Sequence, residues 1–209
     1  MRLPRELDPI EIRVLGCLLE KERTTPDGYP LTLNALTAAC NQKSNRHPVM
    51  RLNPPEVEDV LSRLRNEVMV WPEDGARTQK WTHNLDRKWG LDPGAMAIMT
   101  VLMLRGPQTV GELRGRTERM NAFSSIAEVE STLVGLTGGD EPLVVHLARR
   151  PGQKEARWTH LLGGEPDMET EEFSPSASAP RSPGLSERVA ALEERVVRLE
   201  EIISRNEHS

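Results

Sequence analysis

Apolar residues in the first part of the chain recur at helical spacing and then switch to alternation. Ile10, Val14, Cys17 and Leu18 share one helical face behind Asp8, a capping residue, and Pro9, which suits the first helical position. After a loop ending in Gly28-Tyr29-Pro30, Thr32 can cap a second helix carrying Leu33, Leu36 and Ala39. Asn53-Pro54-Pro55-Glu56 supplies an N-cap, a proline at N1 and a glutamate at N3 for a third helix that buries Val57, Val60, Leu61 and Leu64. Val68-Met69-Val70-Trp71 then alternates, Pro72-Glu73-Asp74-Gly75 reads as a turn, and Thr78-Gln79-Lys80-Trp81-Thr82 returns as the second strand of a β-hairpin. Three helices followed by a two-stranded hairpin describe a winged helix-turn-helix.

The same plan occurs twice. Leu7-Asp8-Pro9 opens one copy and Leu91-Asp92-Pro93 the other; Trp81-Thr82-His83 and Trp158-Thr159-His160 close them. Between these ends, Thr32 to Leu36 aligns with Thr109 to Leu113, and Glu56-Val57-Glu58 with Glu128-Val129-Glu130. In the second copy the first helix covers Pro93 to Arg105, Thr109 caps the second, Ser125 begins the third, and Leu143 to Leu147 pairs with Ala156 to Thr159. The offset between copies is 84 at the opening, 77 at the capping threonine, 72 at the third helix and 77 at the close. Length therefore changes between motifs, in loops.

Behind the copies, residues 164–184 are rich in Pro, Ser, Ala and Glu, a composition that buries too little apolar surface to offset ordering the chain, and they read as a disordered linker. Leu185, Val189, Leu192, Val196, Leu199 and Ile203 then follow a 4-3-4-3-4 spacing, with β-branched residues at a and leucine at d. That pattern predicts a parallel two-stranded coiled coil, hence a homodimer, with Arg188 and Arg195 at g facing Glu193 and Glu200 at e of the partner chain. The alternative is an amphipathic helix folded back on its own domains. The expected fold class is mainly α with small β wings: winged-helix domains at 1–90 and 91–163, the linker at 164–184 and the coiled-coil helix at 185–205.

Long contiguous motifs carry a family resemblance. Leu7-Asp8-Pro9 with Glu11 to Lys21, Tyr29 to Leu36, Cys40 to Arg46 and Pro48-Val49-Met50 resemble the bacterial YceH-like family over roughly residues 5 to 162 and a C-terminal helix. The resemblance implies tandem winged-helix domains in a cytoplasmic protein, within a largely uncharacterised family.

Net charge is −5 over 209 residues, and its distribution matters more than its sum. Residues 1–90 carry 14 Lys+Arg against 13 Asp+Glu, 91–163 carry 8 against 8, and 164–209 carry 5 against 11. The repeats are neutral and the tail is acidic, so the broad basic footprint of a nucleic-acid binder is missing. Two Phe and one Tyr give no platform for stacking single-stranded bases. No apolar run reaches about 18 residues and the N-terminus lacks a signal-peptide apolar region, so a soluble cytoplasmic chain with no membrane partner is expected. Cys17 and Cys40 lie in apolar helical patterns without a metal-ligand neighbour and read as buried reduced thiols.

Candidate chemistry is sparse. Lys43, Arg46, His47 and Arg51 fall in a loop with no acidic residue from Lys43 through Pro55, which could grip phosphates of double-stranded DNA or be an ordinary solvated loop. Arg63 on the third helix and Arg77 and Lys80 in the first hairpin are further candidate contacts, as are Arg149, Arg150, Lys154 and Arg157 in the second. The third helices themselves suit DNA poorly. The outward positions are Asp59, Ser62 and Asn66 beside Glu58 in one copy, and Ser131, Val134 and Gly138 beside Glu128 and Glu130 in the other, with no Lys or Arg from Ser124 through Val145. Met96, Met99 and Met103 lie on a helix apolar nearly all round, which is either covered by the other repeat or a dimer mate, or offers an adaptable groove to a partner peptide. Trp81 and Trp158 read as packing anchors between hairpin and helices, with His83 and His160 sharing that local role. No nucleophile–base pairing, phosphate-binding glycine loop or metal constellation is legible, so neither catalysis nor a cofactor is expected. Two readings follow: a dimeric DNA-associated regulatory or chromosome-associated factor, or a protein–protein interaction scaffold that does not bind DNA.

Overall fold

Helix starts in the computed structural model, which describes residues 5–73, 78–138, 141–149 and 155–165, coincide with the capping residues of the sequence. Helix α1 (Pro9–Thr24) begins with a capping box in which the Asp8 carboxylate accepts from the Glu11 N–H and the Glu11 carboxylate accepts from the Asp8 N–H. Thr32 caps α2 (Leu33–Cys40), and Asn53 with Glu56 forms a second capping box on α3 (Pro54–Asn66). A short helix α4 (Leu85–Trp89) ends at Gly90, whose φ of 58° is the left-handed conformation glycine adopts without strain. Asp92 caps α5 (Pro93–Arg105), Thr109 with Glu112 boxes α6 (Val110–Thr117), and Ser125 caps α7 (Ile126–Leu136). Each such cap contributes on the order of 1 kcal/mol, which explains why the boundaries were readable from local sequence.

Two small antiparallel sheets accompany the helices. Strands β1 (Leu31–Thr32), β2 (Val70–Glu73) and β3 (Lys80–His83) form a sheet of order β1-β3-β2, and β4 (Val144–Leu147) pairs with β5 (Arg157–His160). Their registers correspond: Val70 opposes His83 as Val144 opposes His160, and Pro72 opposes Trp81 as His146 opposes Trp158. Leu31 sits beside Trp81 in β1, and Gln108 sits beside Trp158 through two backbone hydrogen bonds of 2.9 and 2.7 Å.

The first hairpin departs from expectation at both ends of β2. Pro72 and Glu73 continue the strand rather than turning it, which an edge strand permits because a missing proline N–H there costs no ladder bond. Val68, expected in the strand, instead ends α3 at φ 60°, and the Met69 N–H donates back to the Leu64 carbonyl at 2.9 Å.

One continuous core runs through the described residues, all of which lie in the compact unit Met1–Pro166. Its centre is α1 against α5, which is buried continuously from Gly94 to Leu104. Burying Met96, Ile98, Met99 and Leu102 contributes roughly 1.5–3 kcal/mol each before the cost of ordering the chain. Gly16 is the point of closest approach: a Cβ there would lie 2.9 Å from Leu104 Cδ2 and 3.2 Å from Met103 Cβ. The chain closes on itself where the Leu7 N–H donates to the Leu162 carbonyl at 2.8 Å.

Replacing Gly16 by Val should therefore separate α1 from α5. The expected result is a destabilisation of about 1–3 kcal/mol by urea denaturation, with Gly16→Ala costing less because the Leu104 tip can move.

Candidate interaction site

The basic loop between α2 and α3 is a built structure. Asn41 ends α2 and clamps Leu52 in both directions, its Nδ2 donating to the Leu52 carbonyl at 2.7 Å and its Oδ1 accepting from the Leu52 N–H at 2.7 Å. Buried Arg13 of α1 donates to the Cys40 carbonyl at 3.1 Å and the Pro48 carbonyl at 2.7 Å. From the other side, the His47 N–H donates to the Leu104 carbonyl at 2.8 Å, and Arg105 donates to Asn45 Oδ1.

This scaffolding consumes one expected contact residue. Arg46 is buried: its guanidinium donates to both Glu20 oxygens at 3.0 and 2.6 Å, to the Ala39 and Asn45 carbonyls at 3.1 and 2.9 Å, and to Gln42 Oε1 at 3.0 Å. Although burial alone would push the Glu20 carboxyl up, the Arg46 guanidinium and Lys21 hold it below the usual carboxylate range. Arg46 is thus an internal tie and presents nothing to a phosphate. Lys43 and Arg51 remain exposed, and neither has an ion-pair partner among the described residues. They flank a surface cleft of about 410 Å³ whose apolar part is Val49, Met50 and Leu52, with Val49 53 % exposed.

The third helices present the expected outward faces. Glu58, Asp59, Ser62, Arg63, Arg65 and Asn66 are exposed on α3; Arg63 is occupied by Asp8 at 2.7 Å, Glu11 at 3.1 Å and Asp59 at 3.4 Å, and Arg65 has no ion-pair partner among the described residues. Arg5 completes that network by pairing with Glu11 at 2.6 Å and Glu67 at 2.7 Å. On α7, Ile126, Glu128, Glu130, Ser131 and Val134 are exposed, Val134 at 63 %. In the hairpins, Lys80 is half-buried opposite Glu73, and Arg157 donates to the Pro107 carbonyl at 2.9 Å and Glu112 at 2.8 Å. Arg77, Arg150 and Lys154 lie outside the described residues, as do the heptad positions Leu185, Val189, Leu192, Val196, Leu199 and Ile203.

Met96, Met99 and Met103 line no groove. They are buried, because α1 and the other core elements cover the all-apolar α5 that would otherwise stand exposed. Cys17 and Cys40 are free, buried thiols.

One cluster escaped the sequence reading: Glu22, His83 and Asp86 bring their ligand-type atoms within 4.8 Å of one another. The hydrogen bonds argue for an internal bridge. His83 Nδ1 accepts from the Leu85 N–H at 3.3 Å, so its proton sits on Nε2, which donates to Glu22 at 2.9 Å. A metal at Nε2 would require the proton on Nδ1, facing the Leu85 N–H. Tyr29 tightens the bridge, its hydroxyl sharing a 2.8 Å hydrogen bond with Thr82 and accepting from the His83 N–H at 3.0 Å. His160, at the matching hairpin position, does not share this role. Its Nδ1 is sealed from solvent without a hydrogen-bond partner, and burial pushes its pKa down to about 4. Trp81 is buried as an anchor, whereas Trp158 is only half-buried and packs against His146 in a tilted arrangement, with centroids 4.8 Å apart and ring planes at 50°.

Comparison with known proteins places this arrangement. The model described as "Protein of unknown function, DUF480" matches residues 7–153. The chain belongs to the DUF480 family. A UPF0502 protein of Geotalea uraniireducens is 50% identical over 182 residues, covering 87% of this chain and 83% of the relative. Another from Geobacter sulfurreducens is 48% identical over 188 residues, 88% and 86% of the two chains, and one from Paraburkholderia phymatum is 44% identical over 187 residues, 90% and 80%. The YceH-like resemblance is consistent with this DUF480 membership, which brings a family of uncharacterised bacterial proteins and no enzymatic name. Among the described residues no helix is long and apolar enough to cross a membrane.

Two outcomes separate the internal groups from the exposed ones. Arg46→Ala leaves the part-buried Glu20 carboxylate with only Lys21 beside it and strips the Ala39 and Asn45 carbonyls of their donor, and should cost about 3–5 kcal/mol in urea denaturation, whereas Lys43→Ala and Arg51→Ala should each stay within about 0.5 kcal/mol of the parent. His160 gives a pH signature. Its folded pKa of about 4 lies below the ordinary 6.5, so the unfolded chain takes up a proton that the folded chain refuses. Stability should therefore fall as pH drops from 6.5 towards 4, and His160→Leu should flatten that limb of the urea-midpoint profile.

Proposed function

We propose that this DUF480 protein is a non-catalytic adaptor of two duplicated winged helix-turn-helix units that binds another protein rather than reading DNA. The repeated order of three helices and a hairpin supports the duplicated winged-helix architecture, as does the common strand register in which Leu31 and Gln108 take the same place beside Trp81 and Trp158. On this reading the protein works in the cytoplasm and pairs with a second copy through the heptads from Leu185 to Ile203, which would present each surface twice.

The observation that carries the choice of protein over DNA is the charge on the exposed faces of α3 and α7. A helix entering a major groove needs donors towards bases and phosphates. Here α3 exposes Glu56, Glu58 and Asp59 against Arg63, which is already paired, and Arg65, its one cation without an ion-pair partner among the described residues, and α7 exposes Glu128, Glu130, Ile126 and Val134 without a cation. One observation favours the second reading, a DNA-associated regulatory or chromosomal factor: Lys43 and Arg51 are exposed and unpaired among the described residues just ahead of α3.

A labelled random-sequence duplex titrated with the full chain, at salt from about 50 to 200 mM, tests the choice. The adaptor reading expects no binding that survives the series, and light scattering on the same samples should give twice the chain mass. Steeply salt-dependent binding that Lys43→Ala with Arg51→Ala removes would replace it with the DNA reading.

A further inference from the structure

We infer that the cleft between Lys43 and Arg51 is the docking site, and that its occupant is a short acidic peptide segment of a partner protein carrying an apolar side chain between its carboxylates. The inference rests on the protein-binding reading above and names its site and partner chemistry. Two cations without ion-pair partners among the described residues flank an exposed valine, beside Met50 and Leu52, in a cleft of about 410 Å³. Most other arginines near this face are committed elsewhere: Arg46 to Glu20, Arg13 to two carbonyls, Arg63 to Asp8 and Glu11, Arg105 to Asn45. Lys43 and Arg51 are therefore available to an incoming carboxylate.

The cleft is also held in shape before anything arrives. The Asn41 clamp on Leu52, the Arg13 bond to Pro48 and the His47 bond to Leu104 fix its backbone, so a ligand does not have to order the loop on binding. Charge complementarity chooses the occupant. Phosphates would use the cations but leave Val49 uncovered, and a ligand longer than the cleft would add Glu58 and Asp59 of α3 to the Glu56 carboxylate that either ligand meets beside Asn53. A short peptide meets both halves of the cleft: its carboxylates reach Lys43 and Arg51, and one apolar side chain covers Val49 and Met50.

The test presents the full chain with an immobilised array of random nonapeptides, each holding three Asp or Glu and one Leu, Ile or Phe, beside a matched array with Lys or Arg in place of the acids. Acidic peptides should be retained and basic ones not. The best acidic peptide, labelled and titrated in solution, should lose on the order of tenfold in affinity with Lys43→Gln plus Arg51→Gln. It should lose a similar factor with Val49→Ser, which leaves the charge untouched and so separates cleft binding from general attraction. These positions are exposed, and an unchanged urea midpoint verifies that each variant is folded. Failure to retain acidic peptides overturns the inference. Retention that ignores all three substitutions but is lost with Val134→Asp overturns the cleft while keeping the protein-binding reading. Retention of duplex DNA instead, dependent on Lys43 and Arg51, overturns both.

Discussion

The contact of α1 with α5 is the constraint on which the remaining structure depends. A thirteen-residue helix with apolar residues on every side is unstable alone in water, and it needs partners over most of its circumference. α1 supplies one of them at close range, because Gly16 brings no side chain to the crossing with Met103 and Leu104. The same crossing organises what lies beyond it. The C-terminal end of α5 receives the basic loop, through the Leu104 carbonyl and Arg105, so the shape of that loop is set by the seam between the halves together with the loop's own Asn41 and Arg46.

Buried charge near this seam fixes geometry more than it adds stability. Taking a guanidinium and a carboxylate out of water costs several kcal/mol per ion, offset only when nearly every donor finds an acceptor. Arg46 meets that condition, with Glu20, Gln42 and two carbonyls around it. Arg13 meets it in part: two carbonyls are satisfied, its Nε has no partner, and burial lowers its pKa. Such a network tolerates few alternative arrangements. The loop then holds Lys43, Val49 and Arg51 in a fixed relation, which a loop of solvated side chains would not do.

Features encoded within four residues were legible in the sequence, and features decided across the fold were not. The caps at Asp8, Thr32, Asn53, Thr109 and Ser125 each rest on a side chain reaching its own helix, and all are found. α4 was missed, although Leu85 and Trp89 at helical spacing ahead of Gly90 were its signal. Arg46 was indistinguishable from Lys43 and Arg51 by local sequence, because its burial depends on Glu20 standing one element away. The two hairpin histidines looked equivalent for the same reason. Glu22, which holds His83, falls where the second copy has Gly106, so His160 lacks the carboxylate that would have matched the roles.

That divergence bears on what a scaffold of this kind does. The two halves keep strand register, capping chemistry and the positions of Trp81 and Trp158, while their exposed cations differ: α3 carries acids with the paired Arg63 and the exposed Arg65, and α7 carries acids and isolated apolar residues without a cation. A DNA-reading dimer needs attraction summed along several phosphates, over distances longer than the Debye length of about 8 Å at physiological ionic strength. Lys43, Arg51 and Arg65, interspersed with the carboxylates of α3, do not sum in that way. A contact confined to one cleft meets Glu56, whose carboxylate accepts from the Asn53 N–H at 2.7 Å at the cleft edge, whereas a long polyanion would add to it the charges further along α3, so the acids of the helix penalise a short acidic segment less than a duplex. The paired Arg63 points the same way, since its charge is neutralised by Asp8, Glu11 and Asp59 where a phosphate would have to displace them.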